Sequence, residues 1–244
     1  MNQLEHKGEF EALLENYQLS EAAKESLRQT KLVILVAPTG IGRNTIINAL
    51  VSSGKYSFIV SDTTREPRVN DGVLEQHGNE YWFRSEDGML EDIKNGQFLE
   101  AAVIHNQQVS GISIRELQKA TDADRIAINE IEPVGAHNIW KLKPDTEFIF
   151  VLPPSFEAWQ QRLAGRGKMD PDEYKRRMQS SIFEFGVALE RPYYKFIVND
   201  SVEHAVAQIT DIVERGVVDD VAQQQHRQLV ETLLQASEQA VDSL

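Results

Sequence analysis

The chain has 244 residues, 25 Lys plus Arg against 38 Asp plus Glu for a formal net charge of −13, and no cysteine. That length accommodates an α/β domain with appended segments and buries a sizeable core. The lack of cysteine excludes disulfides, a thiolate nucleophile and Cys-bound zinc or iron–sulfur centres. The six histidines, His6, His77, His105, His137, His204 and His226, are scattered, and no two stand four residues apart, the spacing that puts two rings on one helix face. A histidine-based metal site is not expected. No apolar run approaches the roughly 18 to 20 residues that span a bilayer, and the opening MNQLEHKGEFEALL lacks the basic-then-apolar order of a signal peptide. The expectation is a cytoplasmic protein with no membrane partner. The acidic balance argues against nucleic acid, whose binding relies on clustered Lys and Arg. It leaves room for a small local cationic site.

Residues 1–30 read as a helical extension, with apolar Leu4, Phe10, Leu13, Leu14 and Tyr17 followed by a Ser20 cap. Lys31 to Ala37, KLVILVA, is a continuous apolar run of the kind found in a strand covered on both faces. APTGIGRN and a helical TIINALVSS follow, giving the order strand, Gly-rich loop, helix. Strand-like runs recur at YSFIV (56–60), RIAIN (125–129), EFIFVL (147–152) and KFIVN (195–199), with helical patterns between most of them. This alternation predicts an α/β fold with a mostly parallel sheet flanked by helices. From Ser61 to about Lys119 the text turns to short alternating segments and polar turns, as in an inserted subdomain. Residues 155–189 read as helical, broken by AGRGKMDPDE, which suits a lid. The tail holds one helix and then a Gln-rich second, striped by Leu229, Val230, Leu233, Leu234 and Val241. Such a stripe either docks on its own domain or binds a partner.

In Ala37-Pro-Thr-Gly-Ile-Gly-Arg-Asn-Thr45, Gly40 and Gly42 let consecutive N–H groups face an anion beside the positive end of a helix dipole. Alone the pattern is weak. Relative to G-x-x-x-x-G-K-[ST], the first Gly is Ala37, the Lys is Arg43 and the hydroxyl position is Asn44. The other segments add specificity: Ser61-Asp-Thr-Thr-Arg65-Glu-Pro-Arg68, Glu80-Tyr81-Trp-Phe, Gly96-Gln-Phe-Leu-Glu100, Asn129-Glu130-Ile-Glu132, Arg162-Leu-Ala-Gly-Arg166-Gly and Ile197-Val-Asn199-Asp200. In this order they resemble the guanylate kinase family, over roughly residues 31–216.

The resemblance implies a P-loop kinase with an acceptor-binding subdomain at 62–119, a lid at 162–177 and helical extensions at 1–30 and 217–244. It implies ATP-dependent phosphoryl transfer to GMP or dGMP with Mg²⁺. Arg65, Arg68 and Tyr81 would hold the acceptor phosphate, for which paired guanidinium forks suit a planar dianionic group. Ser61 and Glu100 would read guanine, since a carboxylate can accept from both N1–H and the exocyclic amine, a donor pair that adenine lacks. Glu130 and Glu132 stand at the family's D-x-D positions near the acceptor. Pro38, Thr39, Gly40, Ile41, Gly42, Arg43, Asn44, Thr45 and Asn199 would bind ATP, with Asn44 or Thr45 ligating Mg²⁺. Arg43, Arg162, Arg166 and Arg177 would act on the transferring group, where a placed arginine can contribute about 10³ to 10⁵ in rate.

Arg43 and Asn44 depart from the usual loop, and Val109-Ser-Gly-Ile-Ser113 stands where the family has Tyr-Tyr-Gly-[ST]-[ST]. About four extra residues lie between Arg68 and Tyr81. These departures leave an alternative of a different class, a catalytically weakened nucleotide- or protein-binding module. The terminal helices are candidate surfaces for a homo-oligomer or a protein partner.

Overall fold

The computed structural model describes residues 4–70, 72–104, 106–165 and 169–243. Its elements run α1 (Lys7–Glu15), α2 (Glu21–Gln29), β1 (Leu32–Val36), α3 (Arg43–Ser52), β2 (Tyr56–Phe58), β3 (Asp62–Thr63), β4 (Val69–Asn70), β5 (Val73–Leu74) and β6 (Trp82–Phe83). They continue with α4 (Glu86–Lys94), β7 (Phe98–Ile104), β8 (Gln108–Ser113), α5 (Ile114–Asp122), β9 (Ile126–Glu130), α6 (Pro133–Leu142), β10 (Glu147–Leu152), α7 (Phe156–Ala164), α8 (Pro171–Glu190), β11 (Tyr194–Val198), α9 (Val202–Arg215) and α10 (Asp220–Asp242). The chain divides into two compact units. The first comprises residues 1–31, 55–127 and 138–144, the second 32–54, 128–137 and 145–244. No helix among the described residues is long and apolar enough to cross a membrane.

In the second unit the strand order is β11-β10-β1-β9. β1 pairs in parallel with β10, Val33 opposite Glu147 and Val36 opposite Phe150, and β10 pairs in parallel with β11. All five residues of β1 are buried, as a strand covered on both faces requires. The aromatic core sits beside this sheet: Trp159 of α7 meets Phe185 of α8 edge-on at 5.8 Å between centroids, and Phe185 lies 6.1 Å from Phe150 of β10. Asp170 caps α8, accepting from Asp172 N–H, and Pro171 opens it, where the missing N–H costs nothing.

The tail stripe docks on its own unit. Asp219 caps α10, which buries Val230 and Leu233. Gln223 serves as a short substitute strand for β11: its Oε1 accepts from Phe196 N–H and its Nε2 donates to Phe196 O, both at 2.8 Å. Arg227 adds a bond to the Leu189 carbonyl at 2.6 Å. An edge strand is thereby covered and two of its backbone groups are satisfied.

In the first unit a four-stranded sheet has the order β6-β3-β8-β7. Asp62, fully buried on β3, accepts from Arg115 at 2.9 Å and Arg84 at 3.3 Å, so its charge is paired twice. Beside β9, Ile126 N–H donates to Lys55 O and Ala127 N–H to Lys31 O, both at 2.9 Å. The residues read as an N-terminal extension form two helices separated at Asn16 to Ser20, and Ser20 caps the second by accepting from Ala23 N–H. Leu4 and Phe10 pack with Met89, Leu90 and Ile93 of α4, Phe98 of β7 and Val109 of β8. Both terminal helices thus spend their apolar faces within their own units.

Leu233→Ala should lower the unfolding free energy by about 2 to 5 kcal/mol, and Gln223→Ala by about 1 to 3 kcal/mol because it strands the Phe196 N–H and leaves the Phe196 carbonyl to His226 Nδ1 alone, at 3.0 Å. Urea denaturation checks both. Unchanged stability in both variants would show that α10 is not docked in this way.

Candidate functional site

The Gly-rich loop of the second unit runs from the carboxyl end of β1 to the first turn of α3. Gly40 has φ +84° and Gly42 φ +100°, backbone that side chains rarely adopt. A Cβ on Gly42 would lie 2.8 Å from Asn199 Nδ2, and one on Gly40 2.6 Å from Leu163 Cδ2. Three side chains grip the loop through its carbonyls. Trp159 Nε1 donates to Thr39 O at 2.9 Å, and Asn199 Nδ2 to Ile41 O at 2.7 Å. Arg162 donates to Ile41 O at 3.2 Å and to Asn199 O at 2.8 Å. In a trans peptide the N–H points opposite the C=O, so drawing in the carbonyls of Thr39 and Ile41 turns the N–H groups of Gly40 and Gly42 outward. Pro38 and Ile41 are buried beneath, while Thr45 is exposed in the first turn of α3.

The loop opens on a cleft of roughly 490 Å³ bordered by Thr39, Arg43, Glu132, Arg176, Arg177 and Glu184. Arg43 is held by Glu130, Nε to Oε2 at 3.1 Å. The same carboxylate takes the Asn44 amide nitrogen at 2.9 and 3.1 Å in the amide orientation that satisfies both groups. Arg177 is braced by Glu173, one turn earlier on α8, at 2.5 Å. A cleft bordered by cationic groups, beside a loop whose N–H groups turn outward, has what a polyphosphate requires. Of the arginines expected to act on a transferring group, Arg43 and Arg177 border this cleft. The guanidinium of Arg162 is engaged with the carbonyls of Ile41 and Asn199, and Arg166 lies outside the described residues.

In the first unit a second cleft, of roughly 580 Å³, is bordered by Thr64, Arg65, Arg68, Arg84 and Gln108, with Glu5 and His6 of the N-terminal segment on its rim. Arg65 makes a two-pronged bond to Glu75, at 2.5 and 2.9 Å, and its guanidinium carbon lies 4.7 Å from the Tyr81 ring centroid. Glu75 also accepts from Arg68 N–H at 2.8 Å. The Arg65 guanidinium and the Arg68 backbone therefore meet on one buried carboxylate, with Tyr81 against Arg65. Ser61 and Glu100 do not border this cleft. Ser61 O accepts from Trp82 N–H at 2.9 Å, and burial of Glu100 on β7 pushes its carboxyl up to about 7.

Two residues escaped the sequence reading. Glu75 lies in the stretch treated as extra residues, and nothing in its neighbours signals that it anchors Arg65. Glu184 Oε2 is buried beside the loop cleft with no hydrogen-bond partner. Burial pushes its carboxyl up to about 7; the Glu132 charge adds to the rise and Arg43 opposes it. A signal existed here, because Glu184 follows Arg177 by seven residues, two helical turns, and so shares its face. Folded Glu184 keeps a proton that the unfolded chain releases between about pH 4.5 and 7, so it makes stability fall across that window as pH rises. Glu184→Gln should flatten this fall and gain stability at about pH 8 relative to about pH 5, measured by urea denaturation. The same pH dependence in variant and wild type would contradict this environment.

The guanylate kinase family model matches residues 29–216. The chain is 35% identical over 185 residues to the guanylate kinase of Corynebacterium efficiens, covering 75% of this chain and 94% of that protein. It is 34% identical to that of Lactobacillus johnsonii, covering 76% and 89%. The crystal structure of guanylate kinase from Anaplasma phagocytophilum superposes with a TM-score of 0.56 at 23% identity, over 78% of this chain and 88% of that one, and shows the same fold. All of α1 and α10, and all of α2 except Gln29, fall outside the matched span. From residue 29 to residue 216, the chain belongs to the guanylate kinase family.

Proposed function

We propose that the protein transfers the γ-phosphoryl group of ATP to GMP or dGMP, giving ADP and GDP or dGDP. An oxygen of the acceptor phosphate forms the new P–O bond while the bond from the γ-phosphorus to the β–γ bridging oxygen breaks, and ADP carries away the bonding pair. One observation carries the reading: the loop at Gly40 and Gly42, its carbonyls drawn inward, opens on a cleft bordered by Arg43, Arg176 and Arg177. Phosphoryl transfer asks the protein mainly for positioning and charge neutralisation. In this reading the loop N–H groups seat the donor phosphates, and Arg43 and Arg177 face the charge that develops on the γ-group.

In the other unit, Glu75 takes two and the Glu66 carbonyl one of the five N–H donors of Arg65, which leaves the remainder for the acceptor phosphate. Arg68 and Tyr81 complete that grip, and Ser61 and Glu100 read the base. Glu130 and Glu132 are reassigned toward the donor, because Glu130 holds Arg43 and Asn44 and Glu132 borders the loop cleft. Mg²⁺ in such sites takes one or two protein oxygens together with phosphate oxygens. The oxygens available here are those of Glu132, Thr45 and the Asn44 carbonyl, which the amide's orientation turns away from Glu130. When bound, the ion would neutralise donor phosphate charge. A cytoplasmic location suits a chain that consumes ATP.

The alternative of a weakened binding module is less well supported. Its motive was the changed loop, yet Arg43 keeps a cation at the cleft and Glu130 orients it. ADP formation from ATP and Mg²⁺ with GMP, dGMP or AMP tests the choice. Turnover should depend on GMP or dGMP, and Arg43→Ala should lower kcat by about 10²-fold or more. Glu100→Ala should reduce the preference for GMP over AMP by at least about tenfold. GMP binding by calorimetry without turnover would establish the binding module instead.

A further inference from the structure

Three features of the first unit converge on the segment Gly96 to Glu100. On β7, Phe98 stands opposite Ser113 and Glu100 opposite Ile112, so two steps on β7 match one on β8. Such a bulge re-aims the side chains that follow it, and Glu100 is the residue it delivers. β7 is also an edge strand, with unpaired backbone groups on its outer side.

The N-terminal extension fills that outer side. Tyr17 Oη donates to Phe98 O and accepts from Phe98 N–H, both at 2.7 Å, taking the place of a neighbouring strand at the bulge. Burial pushes the Tyr17 hydroxyl up to about 12, so it remains a donor throughout the neutral range. Two residues upstream of Phe98, Ser20 N–H donates to Gly96 O at 3.1 Å and Gln97 Nε2 donates to Ser20 Oγ at 3.3 Å. The approach is close enough to demand glycine: a Cβ on Gly96 would lie 2.4 Å from Ser20 N and 2.7 Å from Gln18 O, and its φ is +64°. These residues precede residue 29, where the match to the family begins. The clamp is therefore supplied by sequence that the matched span does not include.

We propose that Tyr17 is a positioning residue for acceptor-base specificity: it locks the bulge from outside and so fixes the direction in which Glu100 presents its carboxylate. The proposal rests on Glu100 reading guanine. Without the hydroxyl, Phe98 loses two partners, the bulge relaxes and the carboxylate no longer meets N1–H and the 2-amino group together. IMP is the discriminating acceptor, because it keeps N1–H and lacks the 2-amino group.

The test compares dissociation constants of GMP and IMP, measured by calorimetry, for the full chain and for Tyr17→Phe, Gln97→Ala and Glu100→Gln. Tyr17→Phe keeps the ring and its packing. It should weaken GMP about tenfold and leave IMP within about twofold, collapsing the preference between them. Gln97→Ala, which deletes the Ser20 contact together with a local bond to the Asn95 carbonyl, should shift the preference the same way by a smaller factor. Should Tyr17→Phe fail to fold, Gln97→Ala decides. GMP and IMP weakened equally, or an unchanged preference in the variants that fold, would overturn the proposal, since a merely stabilising tyrosine leaves the ratio alone. If Glu100→Gln retains the full preference, the reading of Glu100 itself fails and the positioning role falls with it. A collapse in Glu100→Gln without one in Tyr17→Phe overturns the positioning role alone.

Discussion

A trans peptide presents its carbonyl and its N–H on opposite edges, so a loop can offer a row of donors only if something else takes its carbonyls. In this chain that something is Trp159, Asn199 and Arg162, which come from α7 and from the end of β11. The arrangement explains why β1, β10 and β11 must lie side by side in parallel: their carboxyl ends bring the loop and Asn199 to one place. It also explains the two glycines, whose missing Cβ atoms admit Leu163 and Asn199 to close range. The sheet, the aromatic core under α7 and α8, and the covering of β11 by α10 all serve to hold this small piece of backbone.

A second regularity concerns charge. The protein is strongly acidic, yet three of the arginines bordering its clefts are placed by carboxylates: Arg65 by Glu75, Arg43 by Glu130, Arg177 by Glu173. A long guanidinium loses rotamer freedom when it binds a phosphate, and a carboxylate partner imposes that loss in advance. The exchange of lysine for arginine at position 43 fits this pattern. A planar fork can face Glu130 through Nε and keep its terminal nitrogens for another partner, which a single ammonium cannot do. The acidic composition excludes a broad basic surface and is compatible with cations held at two points.

The main strands of the second unit were legible as short apolar runs because residues buried on both faces leave no polar alternation to confuse them. The Ser20 cap follows from local chemistry, whereas the stripe at Val230 and Leu233 was compatible with self-docking or a partner, and only its burial decides between them. The first unit was harder. Its strands are only two to seven residues long, and their pairing depends on a bulge at Phe98 and on buried charge at Asp62, neither of which has a periodic signature. Side-chain direction was the other gap. The spacing located Arg162 and Asn199 but not that they brace the loop from beneath, and Glu75 had no pattern at all.

Affinity for ATP without an acceptor reports most directly on the braced loop. Calorimetry with ATP and Mg²⁺ should show Asn199→Ala weakened about tenfold or more relative to the unaltered chain, while its affinity for GMP stays the same, because the Ile41 carbonyl loses its closest donor. An Asn199→Ala protein that binds ATP as tightly as the unaltered chain would contradict the account.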